Sequence, residues 1–293
     1  MNARRENFIT PDQLATLVEK SDSAGLVALG AHLLALVLLL TGAILLPLPL
    51  AWFSWFGYAL VLVFVFCPLH EVIHETAFAS RWINRAVGYL FGVVLLLPPR
   101  YFRAFHMAHH RHTQDPNRDP ELATSKPGNR RQYLWHISGM PYWISQARAI
   151  TRYALGNVDD FVPARKRRDL IMEARLFLAL YAALLLVSFV SGSLVLWWYW
   201  ILPVLVGQPF LRWFLLAEHT GCPQVSDMLE NTRTTMTNGL MRRLCWNMNF
   251  HTAHHAYAGI PFHRLPDVND LLGARLVQLA RGYVGINLKI YRD

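Results

Sequence analysis

Long apolar runs, broken at only a few points, set the layout of this chain before any single residue is weighed. Crossing about 30 Å of hydrocarbon takes roughly 20 mainly apolar residues. Ala24 to Leu46 has that length, with His32 and Thr41 as its notable polar side chains. Pro47-Leu48-Pro49-Leu50 breaks the run, and Ala51 to Leu69 forms a second span. Ile171 to Val190 forms a third and Ser191-Gly192-Ser193 a tight turn; Leu194 to Ala217 forms a fourth, which Pro203 and Pro209 are expected to bend. Ala86 to Leu97 is too short to cross and reads as an interfacial or re-entrant helix. The pattern predicts an all-α integral membrane protein with four transmembrane helices (24–46, 51–69, 171–190 and 194–217) in two hairpins. Residues 70–170 and 218–293 would form a helical cap, and 1–293 a single domain.

Shorter patterns fill the polar segments. Thr10-Pro11 has the form of a cap and first helical residue, with Leu14, Leu17 and Val18 on one face. Trp143 to Leu155 interleaves Ile144, Ala147 and Ile150 with Arg148 and Arg152, as an amphipathic surface helix would. Val268 to Arg281 also reads as a helix. Met1 to Ser23 holds no apolar core and is not expected to be a signal peptide.

Charge sets the orientation. Of 28 Lys and Arg residues, three precede the first span, sixteen lie between Arg81 and Arg175, and eight run from Arg233 onward. The last, Arg212, is near the inner end of the fourth span, and the two short turns carry none. All basic segments therefore fall on one side, which the positive-inside rule makes cytoplasmic, termini included. Trp52, Trp55 and Trp197-Trp198-Tyr199-Trp200 fall at the opposite ends, where an aromatic belt belongs. The expected setting is a bacterial inner membrane. With 54% hydrophobic and 16% charged residues, a disordered chain is excluded. A net charge of +9 raises nucleic acid as a partner, but long apolar runs interrupt the basic residues and no recognition signature is present. Cys67, Cys222 and Cys245 are too scattered for a disulfide framework or a zinc ribbon.

The candidate chemistry lies in the histidines, most of the 13 being clustered. His70-Glu71-Val72-Ile73-His74 begins where the second span ends. His106-Met107-Ala108-His109-His110 follows, with His112 just after; His251-Thr252-Ala253-His254-His255 is the third cluster, and His219 stands alone at the inner end of the fourth span. On a helix, positions i, i+3 and i+4 share a face, so each cluster can aim its rings at one point. Eight clustered imidazoles exceed the four ligands of one zinc ion. Two ions with four or five nitrogens each would use them, and His219 makes nine. His32 and His136 read as interfacial polar residues, and His112 and His263 as structural or supporting ones. The first cluster also matches H-E-x-x-H, in which two histidines bind zinc and the glutamate is general base. That reading of an intramembrane protease leaves two H-x-x-H-H triplets without a purpose.

In order and placement, H-E-V-I-H, H-M-A-H-H and H-T-A-H-H resemble the histidine boxes of the membrane fatty acid desaturase and hydroxylase superfamily. The stretches Arg103 to Thr113, Asp115 to Glu121, Glu218 to Gly221, Asn231 to Thr235, Asn247 to His251 and Pro261 to Pro266 are similar to its bacterial desaturase branch. The resemblance runs from about Pro68 to Pro266. It implies a non-haem di-iron centre, with dioxygen as co-substrate, in the cytoplasmic cap. By position the ligands would be His70, His74, His106, His109, His110, His219, His251, His254 and His255. Glu71, Glu75, Asp115, Asp119 and Asn247 neighbour them and could hold imidazole N–H groups in orientation. The implied activity is desaturation of a fatty acyl or lipid-like chain. The alternative is a hydroxylase or ketolase acting on an alkane, a sterol-like ring, a carotenoid or a small amino-acid-derived substrate; the three-residue spacing in the first box suits either. Arg100, Arg103, Arg242 and Arg243 could meet an anionic head group. No His-Pro-Gly-Gly haem motif is present, so an external ferredoxin, rubredoxin or small haem protein with its reductase is expected to supply electrons.

Overall fold

Helix ends in this protein fall where prolines and polar residues leave backbone groups without their usual partners. The computed structural model describes residues 9–124 and 126–292, so Arg4 and Arg5, counted above, lie outside the described residues. A capping box between Thr10 and Gln13 starts α1 (Pro11–Leu17), and the Ser21 hydroxyl caps α2 (Asp22–Leu45). The second apolar run forms α3 (Leu50–Val63) and α4 (Phe66–His74). The break between them has a local cause. Pro68 offers no N–H to the Phe64 carbonyl, which accepts from Cys67 at 3.0 Å instead. Next come α5 (Arg81–Val94), α6 (Pro99–His112), α7 (Arg130–Ile137), α8 (Met140–Ala154) and α9 (Ala164–Val190). A π-helical turn, Trp197–Ile201, leads into α10 (Leu202–His219). Short elements complete the chain: α11 (Met228–Asn231), β1 (Thr234–Met236), α12 (Gly239–Leu244), α13 (His251–Ala256), α14 (Leu265–Leu272), β2 (Leu279–Arg281) and α15 (Tyr283–Arg292).

Four helical stretches, 22–45, 50–74, 164–190 and 197–219, are long and apolar enough to cross a bilayer. They coincide with the four expected spans but differ at the ends. The second runs on through His74, and the third starts seven residues early because the Arg165–Arg168 segment is itself helical. The fold is not purely helical: β1 and β2 pair in parallel, Thr234 opposite Leu279 and Met236 opposite Arg281. The helix expected over Val268 to Arg281 is also corrected. It stops at Leu272, because Gly273 takes a positive φ of 48° that ends the helix and frees the chain to reach β2.

α3 packs against both α2 and α10. At the α3–α10 crossing a Cβ on Gly207 would strike the Ala59 carbonyl oxygen, so only glycine permits that approach. The second expected hairpin is looser: α9 packs chiefly on α8 and α6, and it meets the π-helical turn before α10, where the Tyr181 and Trp200 rings lie 6.0 Å apart. The outward faces of α2 and α9 carry exposed Leu34, Val37, Leu38, Leu185, Leu186 and Phe189, a surface suited to lipid and not to water.

Inside this bundle, irregular backbone groups find side-chain donors. Pro203 cannot serve the Trp198 or Tyr199 carbonyls; Trp55 Nε1–H donates to the first at 3.0 Å and the Tyr58 hydroxyl to the second at 2.8 Å. His32 is not interfacial as expected. It is buried mid-helix and donates through Nε2 to the Val61 carbonyl at 3.0 Å, a group freed by the α3–α4 break.

The run 86–97 turns out to be most of one arm of a bent pair, α5 and α6, which meet at 97°. Its apex exposes carbonyls that three other elements satisfy. Tyr181, Trp200 and Tyr142 donate to Val93, Val94 and Leu95 at 3.1, 2.9 and 2.7 Å. The Glu173 carboxylate on α9 accepts from the Arg100 and Tyr101 N–H groups at 3.1 Å, capping the start of α6. This brace fixes α6, which carries the second histidine cluster.

Candidate metal centre

Nine buried or half-buried imidazoles converge from four segments, and their geometry divides them in two. α4 contributes His70 and His74, α6 His106, His109 and His110, α10 His219 at its last position, and α13 His251, His254 and His255. One ring nitrogen each from His70, His74, His106, His110 and His254 can be chosen so that all lie within 4.8 Å of one another. His109, His219 and His255 meet the same condition. His251 joins the second group through His219, their Nε2 atoms 3.2 Å apart.

Each group has a hub. His110 Nε2 stands 2.9 Å from His106 Nε2 and 3.0 Å from His254 Nε2. His219 Nε2 stands 3.3 Å from His109 Nε2 and 3.2 Å from His251 Nε2. Two nitrogens each about 2.0–2.1 Å from a shared metal ion lie roughly 2.9–3.4 Å apart, so these are separations that adjacent ligands show. His110 and His255 stack with centroids 4.1 Å apart, which makes the two groups immediate neighbours. His70 Nε2, His74 Nε2 and His255 Nε2 are buried with no protein partner. An ion would satisfy them. Burial also holds His251, His254 and His255 well below the ordinary imidazole range, keeping the rings neutral as metal binding requires. The donor set therefore fits a pair of metal ions.

Three outer ring nitrogens, those of His109, His219 and His255, are held by named partners. His109 Nδ1–H donates to Asp119 at 2.9 Å, and the same carboxylate accepts from the Gln114 and Glu121 N–H groups. Glu121 Oε2 stands 3.2 Å from the same nitrogen. His219 Nδ1–H donates to the Asn231 carbonyl at 3.2 Å, and Thr113 Oγ1 lies 3.2 Å from His255 Nδ1. Glu71, fully buried, lies 3.3 Å from His70 Nδ1 and accepts from the Thr76 hydroxyl. The bonds to His109, His219 and His255 fix tautomer and ring angle, leaving Nε2 to face the centre.

Three side chains expected to do the same lie elsewhere. Asp115 bonds Arg118 at 2.7 Å and the Asn117 N–H, Asn247 bonds the Phe262 carbonyl and Arg242, and Glu75 ends α4 in a left-handed conformation with φ 62°. Adjacency in sequence put them near ligands, but the turns that follow each cluster carry their side chains away. Glu121, Glu218, Thr113 and Asn231 had no assigned role. Glu218 Oε2 is 3.5 Å from His251 Nε2, on the side facing the second group. Asn231 acts through its backbone, for which no side-chain signal exists. His112, His136 and His263 stand outside both groups. Of the arginines suggested for a head group, Arg100 faces Asp169 at 3.9 Å and Arg242 stacks over Phe250 at 4.9 Å.

A helical bundle with two adjoining imidazole groups, set where four long apolar helices meet a cap, defines a histidine-box metalloprotein. A model of the fatty acid desaturase family matches residues 47–286, and the chain belongs to that family. It is 25% identical over 231 residues to the sn-1 oleoyl-lipid 12-desaturase of Picosynechococcus sp., covering 72% of this chain and 65% of that protein. The omega-6 fatty acid desaturase, chloroplastic, of Spinacia oleracea is 25% identical over 77% of this chain and 53% of its own length. The sn-1 oleoyl-lipid 12-desaturase of Synechocystis sp. is 27% identical over 76% and 68%. The chain thus spans between half and roughly two thirds of the length of these relatives.

Proposed function

We propose that the protein is an oxygen-dependent di-iron desaturase that places a double bond in a fatty acyl chain carried by a lipid, with 1–293 acting as one membrane domain. The observation that carries this reading is the convergence of nine imidazoles into two adjoining groups of five and four with buried, unpaired ring nitrogens. His70, His74, His106, His110 and His254 would hold one ion, and His109, His219, His251 and His255 the other. When bound, the pair supplies dioxygen activation and removal of hydrogen from an unactivated C–H bond.

The protein's own part is support and exclusion. Asp119, Asn231 and Thr113 hold ring orientations, and Phe66 and Phe102, packed on His70 and His106 at 6.3 and 5.5 Å, keep water from one flank. Removing two hydrogens from the chain supplies two of the four electrons that take dioxygen to two waters. The remaining two electrons come one at a time from an external carrier such as a ferredoxin, a rubredoxin or a small haem protein, and the two protons from solvent.

The names of the relatives favour an oleoyl chain esterified to a lipid, and a double bond over a hydroxyl group. Positive-inside charge favours a cytoplasmic metal centre in a bacterial inner membrane. The protease reading of His70-Glu71-Val72-Ile73-His74 is disfavoured, because Glu71 faces the outer nitrogen of His70 and not the shared space a general base would need.

The test is expression in a host lacking polyunsaturated lipids, with iron and fatty-acid analysis. About two irons per chain and a new double bond are expected. Zinc alone, or a hydroxylated product, would overturn the desaturase assignment.

A further inference from the structure

We propose that the cleft beside His219 is the docking site of an acidic, one-electron carrier protein; this rests on the desaturase reading above and names where its missing electrons enter. The cleft has a volume of about 580 Å³ and is bordered by Lys126, Arg233 and Lys289, with Leu122 and Ile290 among its apolar walls and His219 in its floor. No aspartate or glutamate lines it.

The three cations are disposed for a partner. Lys126 lies within electrostatic reach of Glu121 without closing a salt bridge among the described residues, and Lys289 is exposed on α15. Arg233 is fixed in place, its guanidinium donating to the Ala217 carbonyl and its backbone N–H to the Glu218 carbonyl. A small cleft with an apolar interior and like-charged rim suits a brief encounter with a protein of opposite charge, where complementarity raises the association rate more than the lifetime.

The floor explains why a carrier would dock here. His219 is the hub of the second imidazole group, its Nε2 facing His109 and His251. Its other contacts, Nδ1 to the Asn231 carbonyl and its own carbonyl to Gln114 Nε2 at 2.8 Å, hold it rigid. One side chain therefore separates the solvent-open cleft from the proposed metal centre. An electron entering there would pass to the ion that His219 would hold, the carrier being oxidised by one electron per encounter and two encounters serving each double bond.

Binding is the primary readout. Holoprotein in zwitterionic lipid nanodiscs is titrated with an acidic ferredoxin and an acidic rubredoxin at low and at moderate salt. Wild type is expected to bind at least one of them, more weakly as salt rises. The double variant Lys126→Glu/Lys289→Glu should lose at least tenfold in affinity and most of the salt dependence. Lys126→Gln and Lys289→Gln, each with a smaller loss, keep the test readable if the reversal misfolds. Turnover driven by a small uncharged reductant should stay within twofold of wild type in these variants. Absence of binding by both carriers, or affinity unchanged by the lysine variants, would overturn the proposal. So would displacement of the carrier by glycerol phosphate, which would mark the cleft as a lipid head-group site. Carrier binding does not require that the metal reading hold, so a protein that binds carrier but no iron would fail the first reading alone.

Discussion

At the scale of single residues, the two hubs and the groups behind them differ in what their loss should do. His110→Ala or His219→Ala removes the nitrogen that the other ligands of its group surround. Each should abolish turnover and leave about one metal ion per chain, measured on detergent-purified protein. Asp119→Asn keeps an acceptor for the Gln114 and Glu121 N–H groups but weakens the hold on His109, so activity should fall roughly 10- to 100-fold with the fold intact. The buried rings also give a sign for pH. His251, His254 and His255 have pKa values lowered in the folded state, so the unfolded chain binds more protons once pH falls below the ordinary value of 6.5. Metal-free protein should therefore melt progressively lower as pH drops through that point, and be flat above it in this contribution. The ligand clusters were legible in the sequence because i, i+3 and i+4 spacing forces rings onto one helix face. Their supporting groups were only half legible. Asp119 and Glu71 stand beside the rings, whereas Asp115 and Asn247 sit on turns whose direction no spacing rule gives.

At the scale of elements, prolines account for most of what periodicity misses. The four apolar runs gave four long helices, but not the break before Pro68, the π turn before Pro203, or the partners that compensate them. Tyr58→Phe should leave the Tyr199 carbonyl unpaired in an apolar setting and cost about 1–3 kcal/mol, read as a lowered midpoint of thermal unfolding in detergent. Gly207→Val should be worse, because its Cβ meets the Ala59 carbonyl and α3 and α10 must part. Little folded protein is expected from that variant in a fluorescence-detected size-exclusion profile. The helix read over Val268 to Arg281 failed for a different reason: Gly273 and the pairing of β2 with β1 outweigh a local helical preference.

Across the whole molecule, the cap and the bundle are joined by the histidines themselves. α4 and α10 carry their rings on the final turns of two long apolar helices, while α6 and α13 bring theirs from the cap. A centre assembled that way should be sensitive to tilting of the long helices, which the order of segments along the chain cannot convey. Orientation can be checked on intact cells: cysteines placed at Ser191 and at Arg281 in a background without native cysteines should label from the outside and only after permeabilisation, respectively.

The bent pair α5–α6 sets an order on synthesis. Its apex carbonyls are matched by Tyr142, Tyr181 and Trp200, all of which leave the ribosome later than the segment they serve. Nascent chain ending before α9 can present residues 81–112 only to the headgroup layer, where water can solvate what the bilayer core cannot. Insertion of that segment is therefore expected to wait on Tyr142, Tyr181 and Trp200, so a product truncated before them would not hold α6 and its histidines in place.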